Sequence, residues 1–414
     1  MKETIIQNMD NPKALENLYR SNQTLFKQEF NRLYPDLKES PAKEFWQERL
    51  NFEKTNHYKG NKTQLIYVVI ASIVAGFIAK WPDFLKLDMD NFYIRNWAFI
   101  LFPFLSGFFL VKKKIDTKHL IILLMILATS VVYINLLPNP FQSDSSLLAC
   151  IHLPLLLWTA FGSAYLGNAL MNKGERISFL RYNGDLVVMS AILLLAGALF
   201  SLLTLGLFSL ININISEIYF RYMAVWGLCS IPLAGTYLIQ YNPELVNKIS
   251  PLIAQIFTPL VFITLFIYLT AIVVQQKDPY NDREFLVFFN GLLIGVLALI
   301  FFSLTEATKS EMSRFTLLML TGLSALTIII NLIALSAIFF RLFEWGITPN
   351  RVAVAGGNLL IFVHLVLVSK QLLQVFREKG TPDMVEQRIA GYLPLYGIWA
   401  AFVMFLFPLL FSFK

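Results

Sequence analysis

The sequence predicts an all-α fold, a polytopic transmembrane helical bundle of about 11 spans preceded by a short soluble amphipathic helical segment. Three observations carry this. Of 414 residues, 56% are hydrophobic and 15% charged, with a mean hydropathy of +0.60, whereas soluble domains hold roughly 45–50% apolar and about 25% charged residues. A larger core does not absorb the excess, because single cores stop growing at about 250–300 residues. Apolar runs of bilayer-spanning length recur from residue 64 to residue 412, and residues 1–63 contain none. Lipid is therefore the solvent for most of the chain, which excludes a soluble enzyme and a disordered chain.

The polar start shows no apolar signal core or small-residue cleavage site. Asn11-Pro12 opens one helix that gathers Leu15, Leu18, Tyr19, Leu25, Phe26, Phe30 and Leu33 near one face and stops by Tyr34-Pro35. Ser40-Pro41 opens a second, presenting Phe45, Trp46 and Leu50. The two are expected to form a hairpin too small to be stable alone, which packs on a membrane surface, the bundle or a cytoplasmic partner. Residues 1–63 and 64–412 are thus expected as two domains.

A span needs about 20 mostly apolar residues. Segments 64–80, 95–111, 119–138, 147–170, 186–211, 221–241, 251–275, 285–305, 315–340, 350–376 and 391–412 qualify. Lys and Arg in the short loops number 17 on the side of the N-terminus and nine on the other, so the N-terminus is expected in the cytoplasm and Lys414 outside. The positive charges lie between apolar runs rather than in one patch, which excludes nucleic acid as a partner. Gly291-x-x-x-Gly295, Ser163-x-x-x-Gly167 and Ala353-x-x-x-Gly357 put small residues four apart, as at close helix crossings. Cys150 and Cys229 fall in apolar runs with no CxxC pair and no His at metal spacing, so neither a metal nor a cofactor is expected.

Polar groups inside spans are costly and therefore point to function. His364, near the middle of the tenth span, either titrates near neutral pH or makes an interhelical hydrogen bond. His152, Asn290, Asn331 and Asn358 are further polar residues within spans, and Asp185 and Glu306 lie at cytoplasmic mouths. No span core clearly contains a carboxylate, which argues against proton coupling through one. In the segment Arg341 to Arg351, Thr348-Pro349 is a helix start and Gly346 supplies a turn. Arg341 and Arg351 are expected close to Glu344, with Asn350 beside them, and the surplus positive charge suits a lipid phosphate or other anion. An ion-pair clamp is the alternative. Asp88 and Asp90, with Asp83 nearby, resemble the paired acids of glycosyltransferases that use lipid-linked donors. There is no HExxH, GxSxG, P-loop or Arg series.

The string Arg341, Gly346-Ile347-Thr348-Pro349-Asn350-Arg351 between two late spans resembles the polytopic bacterial family known as domain of unknown function 4153. Tyr182 to Leu210, and Thr258-Pro259-Leu260 through Asp278-Pro279, are similar to it as well, and Trp345 replaces an expected Tyr. The resemblance implies a protein of the bacterial cytoplasmic membrane and transfers no reaction or catalytic residue. Three readings follow: a transporter-like or lipid- and small-molecule-handling protein, a sensor or scaffold acting through residues 1–63, and a glycosyltransferase-like enzyme.

Overall fold

The computed structural model describes residues 2–9, 11–21, 23–38, 40–55, 62–113, 115–210, 213–243, 246, 249–274, 280, 283–307 and 313–414. Lys59, Lys114, Lys248, Lys277 and Lys309 of the charge pattern, and Asp278-Pro279, lie outside them. The chain divides into two compact units, Met1–Asn61 and Lys62–Lys414.

Among the described residues the first unit holds four α-helices where two helices were expected: α1 (Lys2–Gln7), α2 (Pro12–Ser21), α3 (Gln23–Leu33) and α4 (Pro41–Thr55), with a single 3-10 turn at Tyr34–Asp36. Where a single helix was expected from Pro12 to Leu33, the described residues form α2, ending at Ser21, and α3, starting at Gln23. The unit closes a core of its own from Ile5, Leu15, Tyr19, Phe26, Phe30 and Leu50, with Trp46 set against the rings of Tyr19 and Phe26 at 5.5 and 5.0 Å. Phe45 does not join it and is 59% exposed. Adjacent helical residues diverge by about 100°, so Phe45 and Trp46 cannot share a face.

The second unit is all helical among the described residues: α5 (Lys62–Leu85), α6 (Met89–Lys112), α7 (Thr117–Leu136), α8 (Asp144–Leu166), α9 (Lys173–Leu210), α10 (Ser216–Tyr241), α11 (Ile249–Val274), α12 (Arg283–Ala307), α13 (Arg314–Trp345), α14 (Pro349–Phe376) and α15 (Pro382–Leu410). All eleven are long and apolar enough to cross a membrane, and the chain is a multi-span helical membrane protein. Several helix starts follow side-chain caps. Asp88, Ser143, Ser313 and Thr348 accept hydrogen bonds from amides of the first turns of α6, α8, α13 and α14. Two starts move well upstream of the apolar runs: α9 begins at Lys173 and α15 at Pro382. Hydropathy sees only the lipid-matched part of a helix, and α9, with 38 residues, is about 57 Å long at ~1.5 Å per residue, far beyond the ~30 Å hydrocarbon layer.

The two largest of several apolar cores organise the bundle. Phe108, Phe109, Phe161, Phe179 and Tyr182 join α6, α8 and α9, and Leu265, Phe289, Leu320, Ile330, Leu365 and Ile389 join α11 to α15. Helix α15 bridges them, since Ala400 and Met404 pack with Leu153 and Leu157 of α8.

The small-residue motifs behave differently from their expected role. A Cβ on Gly291 or Gly295 would meet nothing within 4 Å among the described residues, so that pair mediates no close crossing. Gly167 has φ +59° and ends α8. The tight approach lies one residue before Gly357, at Gly356, where a Cβ would overlap the ring of Trp399.

Candidate functional site

At the Arg341 to Arg351 corner, Thr348 caps α14 and Gly346 takes φ +80°, as the turn requires. The Arg351 guanidinium donates to the carbonyls of Trp345 and Gly346 at 2.7 and 2.6 Å. It therefore satisfies the end of α13, whose last carbonyls have no intrahelical partner. Arg341 donates to the Tyr280 carbonyl at 2.8 Å. Both guanidinium groups lie near the Trp345 ring, at 5.2 and 5.6 Å. Glu344 is exposed and makes no ion pair with either arginine among the described residues. The expected grouping around Glu344 is replaced by an aromatic centre at Trp345, because the helix C-terminus supplies the acceptors that Arg351 needs. Asn350 donates to Asp144 at 2.6 Å, tying α14 to the start of α8.

Asp88 accepts from the amides of Asp90 and Asn91 as the α6 cap, and Asp88 and Asp90 are both exposed. Among the described residues no group of three His, Cys, Asp or Glu could hold a metal. Asp83 instead pairs with Lys80 at 2.7 Å.

His364 is fully buried, far from the corner on α14: it lies thirteen positions beyond Arg351, about 20 Å along the axis at ~1.5 Å per residue. Its Nδ1 lies 3.0 Å from the Tyr396 hydroxyl. The three asparagines form one chain across three helices, in which Asn358 donates to Asn290 at 2.8 Å and Asn331 donates to the Asn358 carbonyl at 3.2 Å. His152 donates to the Leu148 carbonyl one turn back, at 2.9 Å.

The polar groups that surround open space are elsewhere. Helices α11, α12 and α13 border a partly open cavity of about 520 Å³ lined by Gln255, Thr258, Ser303, Glu306 and Thr316 together with apolar side chains. Glu306 is 1% exposed, and Thr258 and Ser303 are 3% exposed. The Thr258 hydroxyl donates to the Ala254 carbonyl and meets the Ser303 hydroxyl, both at 2.7 Å. Pro259 follows inside α11 and leaves the backbone there short of one donor. In the same part of the bundle Ser250 donates to the buried Asp185 at 2.7 Å. Arg181 donates to the Thr305 carbonyl at 3.0 Å and pairs with Glu386 at 3.4 Å.

No family model, curated protein or solved structure matches this chain.

The α11–α13 cavity can therefore be read only from its own chemistry. It combines a carboxyl group with paired hydroxyls in an apolar setting, the composition of a site for a small polar molecule. Sequence reasoning missed it because its members are single residues spread from Gln255 to Thr316. Two signals existed: Thr258-Pro259 inside an apolar run, and Glu306 as the lone acid closing another.

Proposed function

We propose that this protein handles a lipid or small molecule in the manner of a transporter, with the α11–α13 cavity as its binding site. The observation that carries the reading is the position of Glu306, Thr258 and Ser303 around a cavity of about 520 Å³ at one end of helices α11 to α13 of the membrane bundle. Buried polar groups are expensive where lipid surrounds the protein, and Thr258 and Ser303, which already meet across α11 and α12, also border open space together with Glu306. The bundle belongs, in this reading, to the cytoplasmic membrane of a bacterium, with the N-terminus inside and Lys414 outside, as the Lys and Arg bias and the resemblance to the domain of unknown function 4153 family suggest. Arg341, Arg351 and His364 act as structural supports of the bundle, since none of them lines the cavity.

Native mass spectrometry of the detergent-purified protein tests this. A retained small molecule or lipid in the wild type, lost when Ser303→Phe fills the cavity, is the expected result. The same adducts in both proteins, or none in either, overturns it.

A second reading has one observation in its favour. Residues 2–55 close their own core yet leave Ile6 and Phe45 at 49% and 59% exposure, which suits a sensor or scaffold module that engages a cytoplasmic partner. A pull-down with wild-type protein and with Phe45→Ser separates this reading from the first. The glycosyltransferase reading has no such observation, because the Asp88 carboxylate is taken up by a helix cap.

A further inference from the structure

A separate cavity of about 430 Å³ lies where the start of α9, the end of α14 and the start of α15 meet. Its polar lining comes from Lys173, Gln371, Gln387 and Arg388, and it contains no carboxylate among its lining residues. The Gln371 side chain is the decisive one. It is 8% exposed, and its amide nitrogen is buried with no hydrogen-bond partner among the described residues. An unmet buried donor is costly, so its retention in a recess that Lys173 and Arg388 also line calls for an acceptor. A glutamine amide also turns about its last torsion to bring its donors to bear.

The recess itself supplies the space for that acceptor. The Lys173 stem passes over Gly391, where a Cβ would sit 3.8 Å from its Cε, and the Gln371 nitrogen lies 3.5 Å from a Cβ built on Gly380. Neither Lys173 nor Arg388 forms an ion pair among the described residues. The arrangement therefore differs from that of Arg181 and Arg314, whose charges are met by Glu386 and Glu378. The cavity opens at the end of the bundle where α5 also begins, the end at which Lys and Arg collect in the sequence. Basic recesses between helix ends on that kind of surface hold phosphate groups of lipids. An Arg fork, a Lys point charge and a neutral amide donor together suit a tetrahedral oxyanion with several acceptor oxygens.

We propose that Lys173, Gln371 and Arg388 form a binding site for a phosphate group, carried by an anionic lipid headgroup or present as a free phosphate. The site is independent of the α11–α13 cavity and of any ligand bound there.

Thermal unfolding of the full-length protein in neutral detergent reads the two sources separately. One arm titrates inorganic phosphate against chloride at matched ionic strength; the other adds mixed micelles containing phosphatidylglycerol, with phosphatidylcholine as the reference. A midpoint raised by phosphatidylglycerol alone assigns the site to a headgroup, and one raised by inorganic phosphate assigns it to free phosphate. In either case Lys173→Gln with Arg388→Gln weakens the apparent affinity at least tenfold, Gln371→Leu weakens it severalfold, and Lys379→Gln, which does not line the cavity, leaves it unchanged. Lys173 and Arg388 are exposed, so the double variant keeps the fold, and an unchanged midpoint without ligand verifies that. No shift in the wild type with either probe overturns the proposal, as does a shift that survives the double variant.

Discussion

The ring of Tyr392 lies over the imidazole of His364, with centroids 4.3 Å apart and planes 24° from parallel. Tyr396 meets the Nδ1 of the same imidazole, and Phe301 closes a third side at 4.8 Å. The Nε2 is buried without a partner among the described residues, so the histidine acts there mainly as a packed ring. His364→Phe preserves the stack and removes the unmet nitrogen, at the cost of the Tyr396 hydroxyl's partner; its thermal midpoint should stay within a few degrees of wild type. His364→Ala opens a cavity worth about 2–4 kcal/mol and should unfold distinctly earlier. Equal midpoints for the two variants would contradict the packing role.

Asn358 holds α12 and α13 at once, through Asn290 and Asn331. Interhelical hydrogen bonds in membranes average about 0.6 kcal/mol, with a maximum near 1.7. Only the Asn358 side-chain bond is lost in Asn358→Leu, because Asn331 binds its backbone carbonyl. The variant should therefore lose about 1 kcal/mol, and a double-mutant cycle with Asn290→Leu should recover a coupling of that size. Strict additivity would show that the bond contributes nothing.

Arg95 is 7% exposed and donates to the carbonyls of Ile134, Leu137 and Pro138 and to the side chain of Asn91. It terminates α7 from a neighbouring helix. Arg95→Ala leaves several carbonyls unmet at once and should cost about 3 kcal/mol or more. Lysine replaces the fork with a single ammonium and should recover only part of this. Limited proteolysis at 137–143 reports the loosening directly, and an unchanged cleavage rate in Arg95→Ala would rule out the terminating role.

Gly356→Ala should destabilise by about 1–3 kcal/mol, the usual cost of overpacking, because the new Cβ overlaps the Trp399 ring. Gly291→Ala is the control, having open space around it. If shape is the cause, Trp399→Leu in the Gly356→Ala background should restore much of the loss, whereas a failure to restore any would point to backbone strain instead.

In the N-terminal unit, the hydrogen bond from Arg20 holds the Glu16 carboxyl below its ordinary value; burial opposes the shift and Arg49 adds to it. A carboxyl depressed on folding stabilises the unit above its unfolded pKa, about 4.3, and that contribution disappears as pH falls through the folded value. Acid titration of the full-length protein, followed by hydrogen exchange at α2 and α4, should show protection declining below about pH 4.3 in the wild type. Glu16→Gln should start lower and lack that component of the decline.

Much of the bundle was legible beforehand because its signal is one-dimensional. Apolar runs must match the bilayer thickness, so α5 to α15 could be counted from hydropathy, and Thr348-Pro349 could be read as a helix start from the chemistry of a cap. The starts of α9 and α15 were not legible, since helix outside the lipid carries no hydropathy mark. The opposite fates of Phe45 and Trp46 were hidden for a different reason. Both are aromatic, and only the phase of α4 against its neighbours exposes one and buries the other.

The sequence by itself determined the solvent, the number of helices long and apolar enough to cross a membrane and which residues are too polar to be lipid-facing without a reason. The tertiary structure alone decided what those residues do. Arg351 ends α13, three asparagines link into one clamp, His364 is sealed among rings, and Thr258, Ser303 and Glu306 converge on open space. The physical reason is that hydropathy is a property of consecutive residues, whereas a hydrogen bond or a cavity depends on which faces of distant helices meet.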